Sequence, residues 1–328
     1  LRKFLDPNSD APGIIGGLIH QQGLLHFLGS GPGIFHTDAA HAKSQRPFQQ
    51  LRNQCPQGVS AVHFRESKKA MSIYRQRFTP TAARRPLRLL ALETSTDTLS
   101  VALGTGAPDG VVWQHSGPGG AMASTTLLPL VKQALDAAGW PLASLDAVVF
   151  GRGPGSFTGL RTACAVAQGL AYGAQSAQRP AGMPVLPVDT LLALAEEARW
   201  TREHTGRPAP TAIAALLDAR MSELYVAAYS CTSTGLVALT PPRLCAPADV
   251  QAHLQTQWQQ HLPAGGEAML AGNVFDTYAA ELADLPGTRQ PAVPCAAALL
   301  RLAPTLLAQG AAVAARDALP LYVRDKVA

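Results

Sequence analysis

Residues 151–161, GRGPGSFTGLR, gather the residue types that hold anions: four glycines, a hydroxyl at Ser156 and a guanidinium at Arg161. A short apolar run, 147–150, precedes them. A helical pattern follows, with Leu160, Cys164, Ala167 and Leu170 on one face and Gly173 at its end. The pattern predicts a strand, a tight turn and a helix capped by Ser156, whose hydroxyl accepts a free first-turn N–H. Such a helix end attracts phosphate or carboxylate. Three familiar sites are excluded by spacing. A P-loop needs Gly-Lys-Ser/Thr, and the dinucleotide fingerprint and the Gly-x-Ser-x-Gly elbow are both broken. The alternative is that small residues only let a helix pack closely on a sheet, and spacing leaves both readings open.

Other candidate chemistry is thinner. A nucleophilic Ser156 would need a base within hydrogen-bond reach, and no histidine is near in sequence, so capping is the expected role. His253 and His261 share a helical pattern but stand eight apart, whereas neighbouring ligands on one face stand three or four apart. Cys55, Cys164, Cys231, Cys245 and Cys295 form no C-x-x-C pair, which excludes a disulfide framework or zinc site and fits a reducing compartment. No metal site and no catalytic residue is therefore expected. Asp218 and Arg220, in the turn Asp218-Ala219-Arg220-Met221, could pair with a substrate. A turn-stabilising Asp with a solvated or paired Arg is the default. A phosphate cradle needs a second glycine-rich turn opposite the first, and the sequence has none beyond the weak candidate Gly272-Asn273.

These residues must be placed by a regular array of elements. Strand patterns cover 88–93, 99–103 and 111–115, then a helix 124–138, the strand and helix of 147–173, and a strand at 185–188. A helix capped by Asp189 runs to 199. Strands at 212–217 and 224–229 flank the Asp218 turn. Helices at 247–261 and 277–285 flank a strand at 268–271, and a last helix, 296–309, contains Pro304. No apolar run approaches the ~18 residues of a membrane span.

GRGPGSFTGLR with its small-residue helix, the Asp218 turn with Glu223-Leu224-Tyr225, and the ending Leu319-Pro320-Leu321-Tyr322-Val323-Arg324 resemble the TsaB (YeaZ) family of bacterial tRNA threonylcarbamoyladenosine biosynthesis proteins. The resemblance spans about residues 87–328. It implies an α/β, actin-like ATPase (ribonuclease-H-like) fold: two similar subdomains with mixed sheets flanked by helices, at 87–188 and 189–295. Residues 296–328 would then pack back on the first. It implies a non-catalytic partner of TsaD, supporting formation of N6-threonylcarbamoyladenosine beside the anticodon of tRNAs that read ANN codons, in a complex with the small ATPase TsaE. Metal and nucleotide would sit on the partners, with ATP binding confined to the complex and tRNA reached only through it. A homodimer is a further implied association, and the location is cytoplasmic with no membrane contact. The competing class is a free-standing actin-fold ATPase or kinase, or a glycoprotease-like hydrolase. TsaD holds its metal with paired histidines on a helix, and the corresponding helix here, AMASTTLLPLVKQAL, has none.

By the same resemblance, Glu93, Thr94, Ser95 and Thr96 form a candidate nucleotide-facing turn, with Glu93 standing where the family more often has Asp. An ordinary strand-ending turn is the favoured reading. Asp218, Arg220 and Tyr225 mark the family's second motif. Gly153, Pro154, Gly155, Ser156, Phe157, Thr158, Gly159, Leu160 and Arg161, with outward-facing Ala165, form the candidate docking loop and helix. Its small residues offer one flat face to the sheet and another to a partner.

Charge separates the leader from the body. Residues 1–88 hold 13 Lys/Arg against 4 Asp/Glu, while 89–328 hold 14 against 18, a net of −4. A nucleic-acid binder concentrates Lys/Arg on its folded face, and this body shows no excess. Residues 1–86 match nothing in the pattern above and read as a disordered leader. Residues 1–70 are expected to derive from upstream sequence, with Met71 as the start.

Overall fold

The computed structural model describes residues 85–262 and 265–324. The leader and Met71 lie outside them, except for Arg85 and Pro86. Arg85 pairs with Asp146 at 2.9 Å.

The first sheet contains β1 (Leu89–Glu93), β2 (Thr98–Gly104), β3 (Val111–Pro118), β4 (Ala147–Gly153) and β5 (Val185–Asp189), in the order β3-β2-β1-β4-β5. β1 is antiparallel to β2 and parallel to β4. The second contains β6 (Ala212–Asp218), β7 (Leu224–Thr232), β8 (Gly235–Ala238), β10 (Ala268–Gly272) and β11 (Thr288–Pro291), in the order β11-β10-β6-β7-β8; β9 (Arg243–Cys245) pairs with β7. Each sheet is therefore built alike: an antiparallel three-strand meander with two strands added parallel to its first. The expectation of two α/β halves with mixed sheets is met.

Helices cover the faces. α1 (Ala123–Ala138) and α2 (Phe157–Gly173) bury Leu127, Val131, Ala163, Ala167 and Leu170 against Leu90, Leu92 and Phe150. α3 (Thr190–His204) places Ala193 in the core on the other face of the first sheet, and Leu191, Leu194 and Ala198 in a core of the second. α5 (Ala296–Ala308) packs Leu299 and Leu300 on the first sheet beside Ala193. One helix, α3, thus belongs to both halves. α4 (Val250–His261) closes the second sheet's remaining face with Leu254 and Trp258.

Several elements differ from expectation. Residues 277–285 form turns rather than a helix. Tyr278, Leu282 and Leu285 are buried as predicted for a helix face, but the Arg289 guanidinium takes the carbonyls of Leu282 and Ala283, at 2.7 and 2.8 Å. α3 runs on to His204 because the buried Arg202 is held from outside the helix, by Pro208 O and Glu267. Asp189 stands at the N-cap position of α3 but makes no capping bond; its carboxylate accepts from Arg152 Nε. β8, β9 and β11 carry no alternating apolar pattern and were not anticipated.

Candidate functional site

The three motifs converge on one cleft of about 300 Å³ between the two sheets. Residues 95–97 and 154–157 line one side, with 217–220, Tyr225 and Asn273 on the other. Leu321, Tyr322, Val323 and Arg324 also line it, so the chain's last described segment borders both halves. Leu321 N–H donates to Arg152 O at 2.7 Å on the first half, and Arg324 reaches the second.

Glu93 and Thr94 lie behind the cleft rather than in it, both fully buried. Thr94 Oγ1 donates to Gly159 O at 2.7 Å and thereby joins the end of β1 to the first turn of α2. Ser156 caps that helix, accepting Gly159 N–H at 3.5 Å. Glu93 Oε1 accepts the Ser95 N–H at 2.7 Å, while Oε2 has no partner among the described residues. A Cβ at Gly151 would fall 1.9 Å from Oε2, so only glycine leaves room for this carboxyl. Burial raises the Glu93 carboxyl above the ordinary carboxylate range, against the smaller lowering from its Ser95 contacts.

A raised folded-state value fixes the sign of a pH effect. Glu93 costs nothing below the unfolded carboxyl's ionisation. Stability then falls by about 1.4 kcal/mol per pH unit as pH climbs toward the folded value, and levels beyond it. Glu93→Gln keeps the Ser95 acceptor and removes the ionisation. The variant should therefore melt near the parent at pH 4 and above it at pH 7–8. A melting difference that does not change with pH would contradict this account.

Opposite, the Asp218 turn is left-handed. Arg220, Met221 and Ser222 have φ of 61°, 57° and 57°. Such backbone costs about 1–2 kcal/mol per residue and is over-determined here. Arg220 N–H donates to Asp218 Oδ1 at 2.9 Å, and Tyr278 OH donates to the same oxygen at 3.1 Å. Asn273 Oδ1 accepts Asp218 N–H at 3.0 Å. Arg324 Nη2 donates to Ala219 O at 3.1 Å and to Glu223 Oε2 at 2.6 Å. The turn aims Arg220 across the cleft, where it pairs with Asp97. Tyr225 is buried at the cleft floor, its phenol raised by burial. The sequence did not single out Asp97, Tyr322 or Arg324 as site residues. The ending was visible as a motif, but its return to the cleft is a long-range contact with no local signal.

α2 presents two faces. Ala163, Cys164, Ala167 and Ala171 are buried, whereas Phe157, Thr158, Arg161, Ala165 and Tyr172 are exposed. Among the described residues no three His, Cys, Asp or Glu stand together as metal ligands, and no helix is long and apolar enough to cross a membrane.

Paired mixed sheets with helical layers, and a cleft walled by a glycine turn from one half and a polar turn from the other, make this an α/β protein of actin-like fold. Within that class the assignment is specific. A family model described as TsaD, tRNA N6-adenosine threonylcarbamoyltransferase, matches residues 122–325. The tRNA threonylcarbamoyladenosine biosynthesis protein TsaB of Escherichia coli is 32% identical over 256 residues, which cover 74% of this chain and 96% of that protein. TsaB of Haemophilus influenzae is 37% identical over 142 residues, 42% of this chain and 52% of that one. The structure of YeaZ from Pseudomonas aeruginosa superposes with a TM-score of 0.59 at 33% identity, over 72% of this chain and 99% of that one. The chain belongs to this threonylcarbamoyladenosine family and, within it, to TsaB (YeaZ).

Proposed function

We propose that this chain serves tRNA threonylcarbamoyladenosine biosynthesis as a non-catalytic partner of TsaD, which carries out the transfer to N6 of the adenosine beside the anticodon. The observation that carries the reading is the likeness to E. coli TsaB along 96% of that protein's length. The cleft's chemistry supports an accessory role, because its charged groups pair with one another, although Ser95 Oγ and Arg324 Nε, on residues that also line it, have no partner among the described residues. Ser156 caps α2, Asp97 holds Arg220, Asp218 holds its own turn, and Arg324 binds Glu223 and the turn's carbonyls. Metal and nucleotide then belong to TsaD and TsaE, and tRNA is met through the complex. A net charge of −4 on residues 89–328 accords with that. Unpaired cysteines at 164, 231, 245 and 295 accord with a cytoplasmic location.

TsaD docks, in this reading, on the exposed face of α2. Ala165 is exposed there, so Ala165→Trp should leave the melting temperature unchanged. A bulky intrusion into a packed contact costs about 1–3 kcal/mol, which is roughly ten- to a hundredfold in affinity. Titration of TsaD from the same organism with parent and variant measures it. Equal affinities with equal melts would remove this face from the interface.

A further inference from the structure

Beside the cleft an exposed aromatic pair, Phe157 and Tyr322, holds the Arg161 guanidinium. Phe157 is 50% exposed and Tyr322 44%. Exposed apolar side chains in contact, as Phe157 and Tyr322 are, mark interaction surfaces. The Phe157 and Tyr322 rings lie 5.3 Å apart, and the Arg161 guanidinium carbon sits 3.8 Å from the Phe157 centroid and 5.9 Å from that of Tyr322. Arg161 Nε donates to Tyr322 OH at 3.0 Å. Among the described residues no carboxylate reaches it. The helix FTGLRTACAVAQGLAYG contains no acid and no other charge.

We propose that Arg161, held by Phe157 and Tyr322, is the seat for a carboxylate presented by an acidic polypeptide segment of the docked partner. Resting on the docking reading above, this names the chemistry that the partner must bring. With Nε occupied, the two Nη groups remain as a planar fork of four N–H donors, the geometry that grips a carboxylate through two parallel bonds. The ring contact and the tyrosine bond fix the side chain before the partner arrives, so little rotamer freedom is lost on binding. Arg and aromatic anchors are also the residue types that dominate interface energetics. A phosphate of RNA could fill the same fork. Polyanion affinity, however, is built from many cationic contacts, and here the neighbouring cations Arg220 and Arg324 are already paired with Asp97 and Glu223, on a body of net charge −4. The apolar surround favours side chains of a protein.

The test titrates TsaD from the same organism against the full chain and its variants Arg161→Glu, Arg161→Lys and Phe157→Ala, with a melt of each alone. Arg161→Glu should weaken binding about a hundredfold, and the other two about tenfold, with melts near the parent. Added salt should weaken the parent complex more than the Arg161→Glu complex. An Arg161→Glu affinity within about threefold of the parent overturns the proposal. If Ala165→Trp still abolishes binding in that case, the docking face stands and only the carboxylate seat falls. Unchanged affinity in both, or no complex with the parent, overturns the two together. Loss of tRNA retention by Arg161→Glu with TsaD affinity unchanged assigns the fork to phosphate and likewise overturns the proposal.

Discussion

Arg301→Ala is expected to cost about 3 kcal/mol, the lower part of the range for breaking a buried ion pair. Arg301 lies on α5 with its side chain only 6% exposed, and Glu196 on α3 is 5% exposed. Arg301 Nε donates to Glu196 Oε1 at 3.2 Å, an Nη donates to Glu197, and the guanidinium stacks on Trp200 at 4.7 Å. Glu196 keeps a second partner, Arg199, at 2.8 Å, which in turn holds Glu203; this limits the loss. The position matters because α3 serves a core in each half while α5 is seated on the first sheet. For a body of this size the loss corresponds to about 6–12 °C in melting temperature. Shared partners also predict non-additivity. Glu196→Gln combined with Arg301→Ala should cost less than the two single losses together. A thermal or urea melt checks both statements, and an Arg301→Ala variant that melts with the parent would deny the network any part in joining the halves.

That network illustrates what the sequence could not disclose. The helices carrying Glu196 and Arg301 were legible from their apolar spacing, yet nothing local says that these charged residues turn inward toward each other, 105 positions apart. The central strands of the first sheet were readable because their runs are short and apolar, whereas β3, mostly exposed, runs on to Pro118, beyond its expected end at 115. β11, with residues Thr288, Arg289, Gln290 and Pro291, has no such pattern and takes its conformation from pairing with β10. Local chemistry predicted Ser156 as a cap, and the structure has that bond. The Glu93 turn was a candidate nucleotide contact only by resemblance, with an ordinary strand-ending turn favoured. β1 is covered on both faces, so Glu93 and the following Thr94 are both buried, while Ser95, Thr96 and Asp97 line the cleft. Arg220 could be named from its motif, while its partner Asp97 lies on the other half and only folding brings them together.

The same substitution at two positions of α2 should act with opposite signs. A Cβ at Gly159 would stand 1.8 Å from the Thr94 carbonyl oxygen, a main-chain atom at the end of β1. The carbonyl cannot swing aside as a flexible side chain would, because the same segment donates Thr94 Oγ1 to Gly159 O and accepts Ser156 N–H at Ser95 O, 2.7 Å away. Gly159→Ala must therefore lift the first turn of α2 off the strand. Overpacking typically costs about 1–3 kcal/mol, and a clash with fixed backbone belongs at the upper end, about 6–9 °C or more in melting temperature. At Gly169, ten residues further along, a Cβ meets nothing within 4 Å. There Gly→Ala only removes backbone freedom from the unfolded chain and should gain about 0.5–1 kcal/mol. The two variants also separate stability from docking. Gly159 anchors the turn that carries Phe157 and Arg161, so under the docking proposed above its displacement should weaken TsaD binding even at a temperature where the variant is fully folded. Paired melts and titrations decide the matter: a Gly159→Ala protein as stable as the parent would mean that α2 is not seated on Thr94, and that the glycine of GRGPGSFTGLR serves something other than this contact.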